Sequence, residues 1–541
     1  MTTLTPEQKA IGRENARSVL GFTRRRFLQG AAVAPVAGAF YFGYKAVDRP
    51  VRAAIIGTGN EGCQAMIHDH NPEYLKFIGF CDIRPSQQKR AVETLRAHGG
   101  YSSEEVEAFA RNMYPDVDAM LADPEVEVVV IALPLWLHAP VAIQAMRAGK
   151  HVFCEKLMAH SVGECKAMCR VARETNKFLA IGHQRHYSAL YDNANYLVEN
   201  GHLGEIRHIR ALWHRNNATP RYEKKDGQIV YDAQGNPVPL RDDQGNILYY
   251  DSWKPDTPAE DRDIDVTKHV LRFKNGKGKE WTYGYKDLKQ LIQWRLHNQT
   301  GAGLMAELGS HQLDACSIFL GKVHPTAVTG IGGTFFYDDN REVDDHVFVT
   351  FEFPTRDDPD AKGHDRVVVT YSSINTNRFE NYGEMVYGTR GTMVVEGEKE
   401  ILLYKEADAN TGSAGGKGTY VTVENKGGKP TVETSPSLAG ASGPAVPGTA
   451  WDEAPSRGYR EELEHFAYCI RANKSDRIYE VEDSTLIPRC RGEVALADAV
   501  IALTSNLAMR EKRRIDFDPK WFDYSSDAVP DQSEGDLEMG V

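Results

Sequence analysis

No two cysteines stand in a C-x-x-C pair, and the eight of them form no regular framework over 541 residues. That sets aside a zinc ribbon and a disulfide scaffold. Cys81, Cys154, Cys165 and Cys169 then read as small buried hydrophobes. A basic surplus is missing too: 64 Lys and Arg against 76 Asp and Glu leave a net charge of -12. A nucleic-acid backbone calls for a basic face, so nucleic acid is excluded as a partner. No internal repeat is evident, and beyond residue 49 no stretch is long and apolar enough to cross a membrane. What remains, 41% hydrophobic and 26% charged residues, is ordinary for a soluble globular protein with material for two or more domains.

The N-terminus is the exception. Thr23-Arg24-Arg25-Arg26-Phe27-Leu28-Gln29 fits the twin-arginine export pattern, with Arg24 and Arg25 as the pair, and a weakly hydrophobic run rich in Ala and Gly follows. The expectation is export to the periplasm by the twin-arginine translocation machinery. Ala37-Gly38-Ala39 resembles a small-residue cleavage site. Left uncut, Phe27 to Tyr44 would be near the lower length limit for a membrane anchor. Both outcomes stay open.

From Val51 to about Gly182 strands and helices alternate, as in a largely parallel sheet with helices on both faces. Ala53-Ala54-Ile55-Ile56 is a short strand, and Gly57-Thr58-Gly59-Asn60-Glu61-Gly62 gives G-x-G-x-x-G before a helix. The first glycine permits the tight turn, the second lets a pyrophosphate approach, and the third lets helix and strand pack. The following strand ends at Asp82, about 20 residues on, where a carboxylate can bond a ribose 2′-hydroxyl. These features point to NAD, and Arg84 leaves NADP open. Val126 to Leu133 reads as a central strand delivering Pro134 and His138 to the ligand-binding edge, and His151 to Cys154 as another delivering Glu155 and Lys156. Ser161 and Glu164 form a capping-box pair.

Beyond Gly182 the pattern changes. Strands are expected at 206–213, 327–332, 343–353, 366–372 and 384–395, with helices at 303–320, 459–472 and 491–509. The fold class is therefore α/β: an N-terminal Rossmann doubly wound parallel sheet plus a C-terminal α/β domain with a large, mostly antiparallel open sheet. The expected division is signal and linker 1–49, dinucleotide-binding domain 50–185, C-terminal domain 186–515 and a loosely held acidic tail 516–541. Insertions are expected at about 219–289, as hairpins and loops, and at 411–455, as a mobile surface loop rich in Gly, Ser, Pro and Lys.

Glu307, His311 and Asp314 fall at i, i+4 and i+7, on one helix face. An acid four residues from a histidine can orient the imidazole. If that helix docks at the strand edge, Lys156 can hold a developing alkoxide while His311 takes the proton. The bland alternatives are a solvated lysine and a structural histidine. As metal ligands, Glu307, His311 and Asp314 lack a strong pattern, and no metal is expected.

The stretches GTGNEG, CDIRP, ALPLWLH, CEK, IGHQR, GHLGEI, GAGLMAELGSHQLDA and MVYGTRGTMVVEG together resemble the Gfo/Idh/MocA oxidoreductases over about residues 51–515. The resemblance implies NAD(P)-dependent chemistry on sugars, cyclitols and related polyols, and an open sheet that supports a homo-oligomer, a dimer or tetramer. It implies that Lys156 matches the catalytic lysine of an E-K-P motif, and that Glu307 and His311 match the Asp and His of a D-x-x-x-H motif. Asp314 matches a later aspartate. Gly57, Gly59, Asn60, Gly62, Asp82, Arg84, Pro134, His138 and Glu155 are the cofactor residues expected here. Asp314, His183, Arg185, Tyr187 and Trp213 are expected to line the substrate pocket, with Gln184, His214 and Asn216 as further candidates. Two departures stand out. Leu157 replaces the motif's proline, and a cis bond before it would cost about 3 kcal/mol more than a trans one. A different backbone course is therefore expected around Lys156. Glu307 adds a methylene where the family has Asp.

Three functions compete. The first is an exported dehydrogenase acting on a sugar, glycoside or cyclitol hydroxyl. The second is a glycosidase that keeps its NAD and oxidises the sugar transiently, or an enzyme passing hydride between two sugars. The third is a non-catalytic NAD-binding sensor. Free NAD is scarce in the periplasm, so a tightly bound cofactor is expected.

Overall fold

The computed structural model describes residues 4–16, 46–217, 219–225, 228–359, 365–406, 421–426, 429–434 and 457–541. The twin-arginine motif and the apolar run after it lie outside the described residues, as does most of 411–455; within the latter, Val421–Lys426 and Lys429–Thr434 pair as antiparallel strands.

Strands β1 (Val51–Ile56), β2 (Leu75–Cys81), β3 (Val128–Ile131), β4 (His151–Glu155) and β5 (Leu179–Gly182) form a five-stranded parallel sheet in the order β2-β1-β3-β4-β5. Alternate residues of these strands enter two different cores: Ala53, Ile55, Val128 and Val130 one, Ala54, Ile56, Val129 and Ile131 the other. Burial on both faces is why these strands read as unbroken apolar runs. On one face lie α1 (Pro85–Ala97) and α2 (Ser103–Arg111); on the other lie α3 (His138–Arg147) and α4 (Val162–Thr175), the last opened by the expected Ser161/Glu164 capping box.

The second sheet has eight strands. These are β6 (Ile206–His214), β7 (Ala327–Gly333), β8 (His346–Pro354), β9 (Arg366–Ile374), β10 (Tyr382–Gly388), β11 (Gly391–Glu396), β12 (Glu400–Lys405) and β13 (Ile515–Asp516). Their order is β12-β11-β10-β6-β9-β8-β7-β13, antiparallel throughout except for β6 beside β9. Helix α5 (Ser310–Phe319) and helix α7 (Gly492–Glu511) cover one face. Among the described residues α7 is the one helix long and apolar enough to span a bilayer, and 78% of its apolar window is buried in this core.

Four expectations change. Helix α7 meets the length and composition of a membrane span, which no stretch beyond residue 49 was expected to do, although it is mostly buried in the core. Helix α6 (Tyr459–Ala472) turns Leu463, Phe466 and Ala467 inward as its periodicity predicts, but onto the Rossmann sheet, where Phe466 meets Phe153 at 5.8 Å. The first domain therefore borrows a helix from the far end of the chain. The acidic tail is docked rather than loose: Asp531 and Ser533 accept the Val162 and Gly163 amides at the start of α4, and Met539 is fully buried. Acidic and hydroxyl side chains suit the orphan N–H groups there, a use that composition does not reveal. A short repeat also exists within 219–289. Asp232 accepts the Gln234 and Asn236 amides, and Asp242 accepts those of Gln244 and Asn246, so two identical turns build neighbouring hairpins.

Candidate active site at the edge of the parallel sheet

The glycine loop behaves as its spacing requires. Gly57 sits at φ +87°, and a Cβ there would meet the Ala132 carbonyl oxygen at 2.4 Å; one on Gly62 would meet the Gly57 oxygen at 2.2 Å. Gly59 has nothing within 4 Å of the same point, which leaves its backbone open to a phosphate. The residues present thus fit a dinucleotide. Asn60 Oδ1 accepts from Arg90 at 3.1 Å at the rim of this loop.

Asp82 lies at the end of β2 as expected. One carboxylate oxygen accepts the Thr58 amide at 2.7 Å and the other the Arg84 amide at 2.8 Å, so Asp82 also holds the loop in shape. Its burial pushes the carboxyl up, against the pull of these amides. Sequence reasoning missed the next partner. Asp261, from the insertion and fully buried, accepts from Arg84 Nε at 2.9 Å and from the Ser86 amide at 2.9 Å. Arg84 is thereby occupied by a carboxylate. Trp136, just after Pro134, packs edge-on against Tyr283 and Tyr285 of the same insertion at 5.5 and 5.4 Å. A pairing between residues this far apart leaves no local signal.

Past β4, the Lys156–Leu157 peptide is cis, so the backbone keeps the turn that the missing proline argued against. His138 stands behind this turn, its ring nitrogens 2.9 Å from the Leu157 and Leu133 carbonyl oxygens. Both ring nitrogens are thus engaged by backbone at the sheet edge. Glu155 is buried, with Oε1 unpartnered, and burial together with Glu61 raises its carboxyl to about 8.

Lys156 Nζ donates to the Glu307 backbone carbonyl at 2.9 Å, which brings the helical segment Met305–Gly309 and α5 to the sheet edge. The Glu307 side chain turns elsewhere, accepting from Arg295 Nε at 2.8 Å. It is therefore not the orienting partner of His311 that the i, i+4 spacing suggested. Burial alone would raise the Glu307 carboxyl, but Arg295, Lys156 and Arg215 outweigh it and hold it at about 2. His311 is buried and its Nδ1 has no partner. Burial first, then the charges of Lys156 and Arg185, push its imidazole well below the ordinary range, so it is neutral. Trp213 stands beside it at 5.5 Å and stacks on Tyr382 at 4.5 Å, a wall for an apolar ring face.

Several other pocket candidates make internal hydrogen bonds. Arg185, 1% exposed, donates to Glu384 at 3.0 Å, to Glu398 at 2.8 Å and to the His311 carbonyl. It holds the His311 helix through that carbonyl. The Tyr187 hydroxyl accepts the Arg489 amide at 2.7 Å and lies 2.9 Å from His465. His214 Nε2 is 2.8 Å from the Ser372 hydroxyl, and Asn216 bridges to Thr376. Asp314 Oδ1 takes His186 Nε2 at 2.7 Å and Lys322 Nζ at 3.3 Å. His183 and Gln184 are buried without side-chain partners.

With this geometry in hand, residues 51–183 match the family model described as "Oxidoreductase family, NAD-binding Rossmann fold", and residues 279–394 match the GFO/IDH/MocA C-terminal domain. These two stretches are similar to the two domains of the Gfo/Idh/MocA family. Its first domain is an NAD-binding Rossmann domain. An uncharacterized oxidoreductase of Schizosaccharomyces pombe is 32% identical over 29% of this chain and 40% of its own length. The inositol 2-dehydrogenase of Salmonella paratyphi B is 27% identical over 34% of this chain and 51% of its own length. The chain thus spans about half the length of the curated relatives it matches. Among solved folds, an inositol dehydrogenase homolog of Azotobacter vinelandii, complexed with NADH and myo-inositol, shares 13% identity and a TM-score of 0.53 over 88% of this chain and all of that one.

Removing Arg185 would leave Glu384 buried without its cation, while Glu398 would keep only Arg457, at 2.7 Å. Arg185→Ala should cost about 3–5 kcal/mol in denaturant unfolding. A loss under about 1 kcal/mol, the scale of an exposed pair, would contradict the structural role.

Proposed function

We propose that this protein transfers hydride between NAD and a ring hydroxyl of a sugar, glycoside or cyclitol. The observation that carries the reading is the meeting of Lys156, anchored on the Glu307 carbonyl, with a buried neutral His311 at the carboxyl edge of the parallel sheet. NAD when bound supplies the hydride acceptor. The chain supplies the rest. Lys156 holds the substrate oxygen by its ammonium as negative charge grows there. His311, neutral and unpartnered at Nδ1, takes the hydroxyl proton. Glu307, ionised against Arg295, keeps the positive charges around the site balanced. Trp213 receives a sugar face. The curated inositol 2-dehydrogenase relative supports a polyol as the substrate class.

Further features support the finer points. Arg84 is already paired with Asp261, which favours NAD over its 2′-phosphorylated form. The insertion that provides Asp261, Tyr283 and Tyr285 reaches over the nucleotide edge, which supports a cofactor held tightly through many turnovers. Such retention favours a second reading, in which hydride is taken from a glycoside and returned after bond cleavage. Ile331, Phe335 and Phe348 are exposed on the open face of the large sheet, which supports a homo-oligomer. Export rests on Arg24 and Arg25 in the twin-arginine pattern; it would deliver the protein folded and loaded with NAD.

Purified protein should reduce bound NAD when offered one member of a polyol and glycoside panel. Lys156→Met and His311→Asn should each lower kcat/KM by about 10²–10⁴ while leaving NAD binding intact. Turnover unchanged in both would remove the residue assignment, and glycoside cleavage without net NADH would select the second reading. An Arg24→Lys, Arg25→Lys double variant should stay in the cytoplasm; undiminished periplasmic yield would rule out the export route.

A further inference from the structure

Behind the pocket lies a cluster that the proposed hydride transfer does not use. His183 follows β5, Asp314 stands on α5 one turn beyond His311, and Asp498 projects from α7. One nitrogen or oxygen from each lies within 4.8 Å of the others. All three side chains are buried, each 1% exposed. Neither ring nitrogen of His183 has a hydrogen-bond partner, and the same holds for Asp314 Oδ2 and Asp498 Oδ1. Unpartnered buried polar atoms are rare and each needs an account. Four of them facing one small space ask for a common one.

Charge narrows the choice. Asp314 Oδ1 is satisfied by His186 and Lys322, whereas Oδ2 is left turned to the gap. Lys322 pairs with Asp314 but not with Asp498. Asp498, buried beside Asp314, has no cationic partner of its own among the described residues, and an apolar interior penalises a carboxylate left so. A doubly charged cation would offset both carboxylates and fill the imidazole's vacancy at once. A neutral imidazole with a free ring nitrogen is the form that ligates metal, and both ring nitrogens of His183 are free. Mixed imidazole and carboxylate donors suit borderline transition ions. His186, bonded to the far oxygen of Asp314, is the kind of outer partner that orients a ligating carboxylate.

We propose that His183, Asp314 and Asp498 bind one divalent transition-metal ion, of the Zn²⁺ or Mn²⁺ class. The three ligands come from the residue just after the last strand of the Rossmann sheet and from both helices covering the large sheet. The ion therefore clamps the two domains together directly behind His311. Spacing along the chain did not predict this set: it joined Asp314 to Glu307 and His311, which face other partners, and Asp498 is far away in sequence.

The test is the metal content of the full-length protein, purified without added metal and dialysed against metal-free buffer, measured by inductively coupled plasma mass spectrometry. One Zn²⁺ or Mn²⁺ per chain is expected, and a strong chelator should lower Tm until Zn²⁺ or Mn²⁺ alone restores it. Asp498→Asn keeps the side-chain shape and should lose the ion and the chelator sensitivity while keeping its circular dichroism. Wild-type protein that carries no divalent ion and shows no Tm shift with Zn²⁺ or Mn²⁺ would overturn the proposal. So would folded Asp498→Asn with the wild-type metal content. Should Asp498→Asn fail to fold, the wild-type measurement alone decides. None of these readings uses activity, so they stand apart from the fate of the proposed hydride transfer.

Discussion

The guanidinium of Arg185 is the point on which the site hangs. It lies just beyond the last parallel strand, is almost wholly buried, and spends its donors on Glu384 of β10, on Glu398 and on the His311 carbonyl. Gln312 and Tyr191 bond the same Glu384 at 2.9 and 3.0 Å. A planar fork with several fixed donors can join three elements in one geometry, which a lysine could not do. The Rossmann sheet, the large open sheet and the helix bearing His311 are thereby held in one register. Lys156 can then reach the Glu307 carbonyl without any further device.

Charge is distributed around this anchor so that neighbouring groups take different protonation states. Arg295 and Lys156 keep Glu307 ionised in spite of burial, while burial and the charges of Lys156 and Arg185 keep His311 neutral. A carboxylate and an uncharged imidazole one helical turn apart form a pair of unequal partners beside an ammonium. Such separation is what proton transfer from a hydroxyl requires. The cost of holding Glu307 charged in a dry site is offset by its salt bridge to Arg295.

How much of this could be read from the sequence follows the distance between partners. The β1–glycine–β2 unit ending at Asp82, the capping box at Ser161 and the inward face of α6 are local patterns, and all three appear in the structure. Lys156 and His311 were legible because each stands at a recognisable motif. Arg295, Asp261 and Asp498 were not, since each acquires meaning only from a residue on another element. The i, i+4 spacing of Glu307 and His311 misled for the same reason: helix geometry allowed the contact, but Arg295 competes for the carboxylate and wins it. The tail was misjudged on composition, because acidic residues that look solvated in sequence are acceptors for the open end of α4.

The most direct test of the account is the path of one hydrogen. A polyol or glycoside that turns over, carrying deuterium on its reacting carbon, should be mixed in a single turnover with protein loaded with NAD. Mass spectrometry of the released cofactor should then find the label on the nicotinamide ring. Turnover of the substrate with no label reaching the cofactor would contradict hydride transfer at the Lys156–His311 edge.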